Sequence, residues 1–170
     1  KWMSVFDLRY AGRTLSAISD TLTVLLIFMI GRMVFSSRVG LLAALLSAIA
    51  VQQIQLSHFF AVDTFMTTFI VATMFYSIRV AKDGRRSDSV LAAIMFGMAV
   101  ATKFSVLPLG LALVFAHLIF ATSRRGDRYD SFGVAPDHAS KQRRIAYQNM
   151  LITAAVVLVV LIVVQPYMFI

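Results

Sequence analysis

The sequence predicts an all-α, polytopic transmembrane helix bundle of about six spans, with the N-terminal end of the segment extracytoplasmic. Three observations predict it. The 170 residues are 59% hydrophobic and only 14% charged, whereas soluble domains carry about 25% charged residues. The apolar residues gather in runs approaching the roughly 20 residues a helix needs to cross a bilayer. The charges collect between those runs. A formal net charge of +8 would suit nucleic acid if it formed one patch. Divided among span ends it follows the membrane charge rule instead, and no nucleic-acid partner is expected. The chain has no cysteine, so it has no disulfide framework and carries no redox information.

Residues 1–13 mix Trp2, Phe6 and Tyr10 with Lys1, Asp7, Arg9 and Arg13, which reads as an amphipathic approach lying at an interface. A five-span core then covers 14–121. Its first span, 14–35, contains the uninterrupted apolar run 24–30. The second covers 39–56, and the third, 63–80, opens on Asp63. The fourth, 89–101, is short for a bilayer, and the fifth covers 107–121. Residues 122–144, with Gly126, Gly133 and Pro136, form a polar cytoplasmic loop. The sixth span, 145–164, leads through Gln165-Pro166-Tyr167 to an extracytoplasmic end at residue 170. Lys1 is not an initiator and Ile170 closes an apolar run, so the polypeptide is expected to extend beyond one or both ends. Gly40, Ala44 and Ala48 recur at i, i+4 and i+8, as do Ala93, Gly97 and Ala101. Such ridges let helix backbones approach closely, which marks spans two and four as interior helices.

Six spans fix the sides once one side is known. Arg13, His58, Asp63, Lys103 and Tyr167 then share one face. The other face takes Arg32 and Arg38, then Arg79, Lys82, Arg85 and Arg86, and finally Arg124, Arg125, Arg128, Lys141, Arg143 and Arg144. That is twelve of the sixteen basic residues, so the second face is cytoplasmic by the positive-inside rule. The expected location is the plasma or inner membrane, with the polar site outside the cytoplasm.

The stretch His58-Phe59-Phe60-Ala61-Val62-Asp63 is the centre of that polar face. Asp63 at a helix start has a plain structural reading, a carboxylate facing its own helix amides. Its functional reading adds His58 nearby, with Arg13 and Lys103 on the same face to hold an anion while a carboxylate takes a proton. His58 alone reads as an interfacial histidine. Arg13 reads as a residue snorkelling to headgroups, and Lys103 as either a headgroup anchor or a phosphate ligand. Asp20, seven residues beyond Arg13 and inside the first span, needs a partner or a wet cavity. His117 reads as a satisfied packing residue. No nucleotide-binding loop or HExxH or GxSxG pattern occurs, and three scattered histidines make no metal site.

Several segments together carry a family likeness. They are Ala11-Gly12-Arg13-Thr14-Leu15-Ser16-Ala17, Ile30-Gly31-Arg32, Gly40-Leu41-Leu42-Ala43-Ala44, Gln55-Leu56-Ser57-His58-Phe59 with Val62-Asp63, and Gly97-Met98-Ala99-Val100-Ala101-Thr102-Lys103. In this order they resemble the GT-C type, polyprenyl-phosphate-sugar-dependent glycosyltransferases, in particular bacterial proteins akin to the protein O-mannosyltransferases (dolichyl-phosphate-mannose-protein mannosyltransferases). The resemblance covers nearly all of 11–121, and Gln165-Pro166-Tyr167 is similar to a segment after a later span. It implies transfer of a sugar from a polyprenyl-phosphate-linked donor at the extracytoplasmic surface. Arg13 and Lys103 would bind the lipid phosphate, with Asp63 and His58 at the catalytic centre and Asp20 and Tyr167 in support. A divalent metal is used by some relatives and not by others. Asp63 matches the family's secondary acid. The family's acidic pair in a large first loop has no counterpart here, where Asp7 alone precedes Arg13 and glutamate is absent.

Two functions of different class follow. One is a partial transmembrane domain of such a transferase, with membrane lipid and the donor as its partners. The other is a non-catalytic, glycosyltransferase-derived subunit packed against other membrane subunits. A transporter would want paired charges near the bilayer midplane, and Asp20 is the only acid at depth.

Overall fold

The computed structural model describes residues 5–58, 61–123 and 136–166, and every element among them is helical. They divide into two compact units, one ending at Phe75 and the other starting at Tyr76. The boundary falls within a single helix, α4.

The first unit begins with α1 (Val5–Val34), 30 residues without a proline. Phe35 and Ser36 turn the chain into α2 (Ser37–Ala48). Ser36 is extended, and its hydroxyl accepts the Val39 N–H at 3.4 Å, a long N-cap bond. The turn lays α2 against α1 at two glycines. A Cβ on Gly31 would sit 2.7 Å from the Gly40 Cα, and one on Gly40 would sit 2.7 Å from the Phe28 carbonyl oxygen. The contact is therefore backbone on backbone.

The second predicted span, 39–56, is not one helix. α2 ends at Ala48, and a separate α3 (Val51–His58) follows. Twelve residues of α2 reach about 18 Å, well short of a hydrocarbon core of about 30 Å. The cause is compositional. Gln52, Gln53 and Gln55 follow Ala50 within six residues, and their amides are costly in hydrocarbon. Across the break the Ser47 hydroxyl donates to Gln53 Oε1 at 3.0 Å. Nor is α2 an interior helix. Gly40 is its only buried residue, and Leu41, Leu42, Leu45 and Leu46 are exposed.

After α4 (Val62–Asp83), the second unit contains α5 (Arg86–Thr102), a 3-10 segment (Phe104–Leu109), α6 (Gly110–Thr122) and α7 (Pro136–Val164). Here the small-residue expectation holds. Ala92, Ala93, Phe96, Gly97, Ala99 and Val100 of α5 are buried, and a Cβ on Gly97 would meet Val160 at 2.8 Å. Phe96, Val100 and Leu113 form the core with Ala92, and Val157 and Leu161 of α7 pack against it.

Four stretches among the described residues are long and apolar enough to cross a membrane: Tyr10–Val34, Val62–Asp83, Phe104–Thr122 and Ser140–Val164. The protein is a polytopic helical membrane protein. Of the six predicted spans, the second is split into α2 and α3, and the fourth is the 17-residue α5.

Three amide side chains, two on α7 and one just past its end, satisfy carbonyls that helix ends leave open. Gln142 donates to the Phe120 and Ser123 oxygens at 2.6 and 2.9 Å, Asn149 to Gly84 at 2.9 Å, and Gln165 to Ala101 at 2.6 Å. In lipid no water can take over that role, so these bonds hold the second unit together. Gly84 itself has a φ of +61°, and a Cβ there would meet the Phe120 ring. Only glycine fits that turn.

Candidate functional site

The polar interior of the first unit grows from a hydroxyl stripe on α1. Ser16, Ser19 and Thr23 recur at helical spacing, and all three are buried. Thr64 and Thr68 of α4 meet them. Thr68 donates to the Ser19 carbonyl at 3.0 Å, and the Thr23 and Thr68 hydroxyls lie 2.9 Å apart. These bonds pin the start of α4 to the middle of α1. They also draw Asp20 toward residues more than forty positions away.

Asp20 lines a cavity of about 20 Å³ together with Thr23, Gln53, Leu56, Thr64 and Thr67. Its Oδ1 is buried without a hydrogen-bond partner among the described residues, as are Thr64 Oγ1 and Ser16 Oγ. Of a partner or a wet cavity, the structure shows the cavity. Arg13 is exposed and does not line it. Seven residues along a helix separate the two by about 10.5 Å, too far for a direct pair.

Asp63 is half-buried in the first turn of α4, one residue before Thr64. An acid there complements the positive end of the helix dipole by about 0.3–1 kcal/mol. Its carbonyl accepts the Thr67 hydroxyl at 2.8 Å. His58 is the last residue of α3, but its side chain lies outside the described residues, as does Tyr167 altogether. Lys103 belongs to the second unit. It is exposed and extended between α5 and the 3-10 segment, with its N–H donating to the Ala99 carbonyl at 3.1 Å.

The second unit contains a polar cluster that the sequence reading had only in part. Asp88, 1% exposed, pairs with Arg79 at 3.1 Å. His117 is buried, with Nδ1 2.7 Å from the Leu113 carbonyl. Nδ1 must donate there, which leaves Nε2 to accept from Ser89 at 3.3 Å or Thr153 at 3.5 Å. His117 is thus the satisfied packing residue expected. It borders a cavity of about 310 Å³ whose other walls, including Phe96, Leu113, Val157 and Leu161, are almost wholly apolar. Such a cavity accommodates hydrocarbon and offers little to a charged headgroup. No cluster of three or more His, Asp or Glu able to hold a metal occurs among the described residues.

The fold defines a polytopic helical membrane protein whose ionisable groups sit mainly at helix ends. The model of one family, described as dolichyl-phosphate-mannose-protein mannosyltransferase, matches residues 5–131. The chain belongs to that family, and its helices form a GT-C type glycosyltransferase membrane domain. No curated protein and no solved structure shows a significant match.

Proposed function

We propose that the chain is the part of a membrane glycosyltransferase that receives a polyprenyl-phosphate-linked sugar at the extracytoplasmic face and passes the sugar to an acceptor hydroxyl. The family match spanning Arg13, Asp63 and Lys103 carries this reading. The charge distribution supports the sidedness. Asp63 and Lys82 lie at opposite ends of α4, and Arg86 and Lys103 flank α5 at opposite ends. The side with the α4–α5 turn carries Arg79, Lys82, Arg85 and Arg86, against Asp63 and Lys103 on the other, and the positive-inside rule assigns the more basic side to the cytoplasm.

In this chemistry the bond from the sugar to the phosphate oxygen breaks, and the departing polyprenyl phosphate gains negative charge. A cation that holds the departing phosphate more strongly than the bound diester lowers the barrier. Arg13 and Lys103 are assigned to the phosphate. Asp63 takes the proton of the acceptor hydroxyl, and His58 assists it from the end of α3. Asp20 and Tyr167 support the site. The reading does not require a metal; a divalent cation near Asp63 would steady the acceptor or the phosphate.

The test is sugar transfer by the full-length protein in lipid nanodiscs, with a polyprenyl-phosphate hexose as donor. Asp63→Asn is expected to lower turnover by about 10²–10⁴-fold, and Arg13→Ala and Lys103→Ala by about 10²–10³-fold each, with unchanged melting. Wild-type turnover in all three would end the proposal. No donor consumption by the wild-type protein would favour the non-catalytic subunit instead.

A further inference from the structure

The cavity beside Asp20 is lined by Asp20, Gln53, Leu56 and three threonines. Its volume, about 20 Å³, holds one particle the size of a water molecule. Thr23 Oγ1 already donates to the Ser19 carbonyl at 3.0 Å, and Thr67 Oγ1 to the Asp63 carbonyl at 2.8 Å. Gln53 Oε1 is the acceptor of the Ser47 hydroxyl. What these side-chain oxygens have left to offer is lone pairs. Asp20 Oδ1 and Thr64 Oγ1 have no protein partner, and Thr64 is only 5% exposed.

A water molecule here would find acceptors for its protons but would leave the Asp20 charge without a counter-ion inside a membrane span, which is costly. A cation removes that cost. One carboxylate balances one positive charge, and a divalent ion would leave an excess charge inside a membrane span. Oxygen donors suit hard cations, and the volume excludes a hydrated ion. We propose that Asp20, Thr64, Thr23, Thr67 and Gln53 form a sodium-ion site. The ion would join α1, α3 and α4 directly behind the helix turn that carries Asp63. The proposal does not rest on the transferase reading.

The test uses the full-length protein in nanodiscs, measuring sodium-22 binding and thermal melting in sodium chloride against choline chloride at equal ionic strength. The expected result is saturable binding of one ion per chain and a melting temperature that climbs with the logarithm of sodium concentration. Asp20→Asn should abolish both. Thr64→Val, close to threonine in shape, should weaken binding at least about tenfold on the scale of a lost hydrogen-bonding group to a charge, and it remains informative if Asp20→Asn fails to fold. Identical melting in both salts with no saturable binding would overturn the proposal and leave a water molecule or a protonated carboxylate at the site. Wild-type affinity in both variants, or potassium competing as well as sodium, would overturn it equally.

Discussion

The two units treat their buried polar groups in opposite ways. In the second, Asp88 has Arg79 at 3.1 Å, His117 is bonded through both ring nitrogens, and Asn149 and Gln165 each cap a carbonyl. Asp88 Oδ2 has no partner, but the charge of its carboxylate is matched. In the first, Ser16, Asp20 and Thr64 each keep an atom without a protein partner, and no ion pair to Asp20 occurs among the described residues. Polar groups whose bonding capacity is consumed inside the protein hold the fold. Groups left open at membrane depth point to something bound from outside. That difference, more than the number of charges, separates scaffold from site.

The largest stability effect should come from breaking the closed arrangement. Arg79→Ala strips the counter-charge from a carboxylate that is 2% exposed. Losing one member of a buried pair costs about 3–5 kcal/mol, but the Arg79 side chain is 33% exposed, and water reaching the pair should reduce the loss to about 2–3 kcal/mol. Asp88→Ala should cost less, because the stranded arginine can reach water. Reversible unfolding in mixed micelles measures both. An Asp88→Ala penalty exceeding that of Arg79→Ala would contradict the view that the carboxylate is the group in need of a partner.

A smaller effect, of opposite sign, tests the open arrangement. In sodium-free buffer Asp20→Asn exchanges a half-buried carboxylate, whose Oδ1 has no hydrogen-bond partner, for a neutral amide of the same shape. The substitution should leave stability unchanged or raise it by about 1 kcal/mol, as relief of a functional strain commonly does. The same measurement on Asp88→Asn should show destabilisation. If Asp20→Asn destabilises as much as Asp88→Asn, the first unit's carboxylate is a structural group and the contrast disappears.

The fold class was legible because it depends on averages, and a chain this apolar with charges at run ends has few alternatives. The failures came where single residues outweigh averages. Span two was read through Gln52, Gln53 and Gln55 because the leucines before them dominate any window, yet α2 stops at Ala48 and the glutamines fall in the separate α3. Ala44 and Ala48 continue the ridge begun by Gly40, but of the three only Gly40 is buried, with Ala44 half-buried and Ala48 exposed. Asp88 falls one residue before the predicted fourth span, and nothing in the sequence marked it. Its pairing with Arg79 across the α4–α5 turn depends on a hairpin geometry that Gly84 sets. Asp20 was recognisable as an acid inside a span, and the hydroxyls at 16, 19 and 23 were the overlooked sign of which helix face it uses. Gln142, Asn149 and Gln165 carry no charge and match no motif, so nothing in the sequence singled them out as caps.

The smallest effect is expected on the face of α2. Leu45 is 58% exposed, so Leu45→Ala opens no cavity and merely exchanges one hydrocarbon surface for another against lipid. Between helix and lipid there is no hydrophobic drive to lose, and the change should stay within about 0.5 kcal/mol, as for surface positions generally. Phe96→Ala, at a site 6% exposed in the core of α5, provides the scale at about 3–5 kcal/mol. Both are measurable by the same unfolding assay in the full-length protein. A Leu45→Ala loss above about 2 kcal/mol would mean that protein covers this leucine face in the assembled molecule, since only a packed surface turns a lost side chain into a cavity.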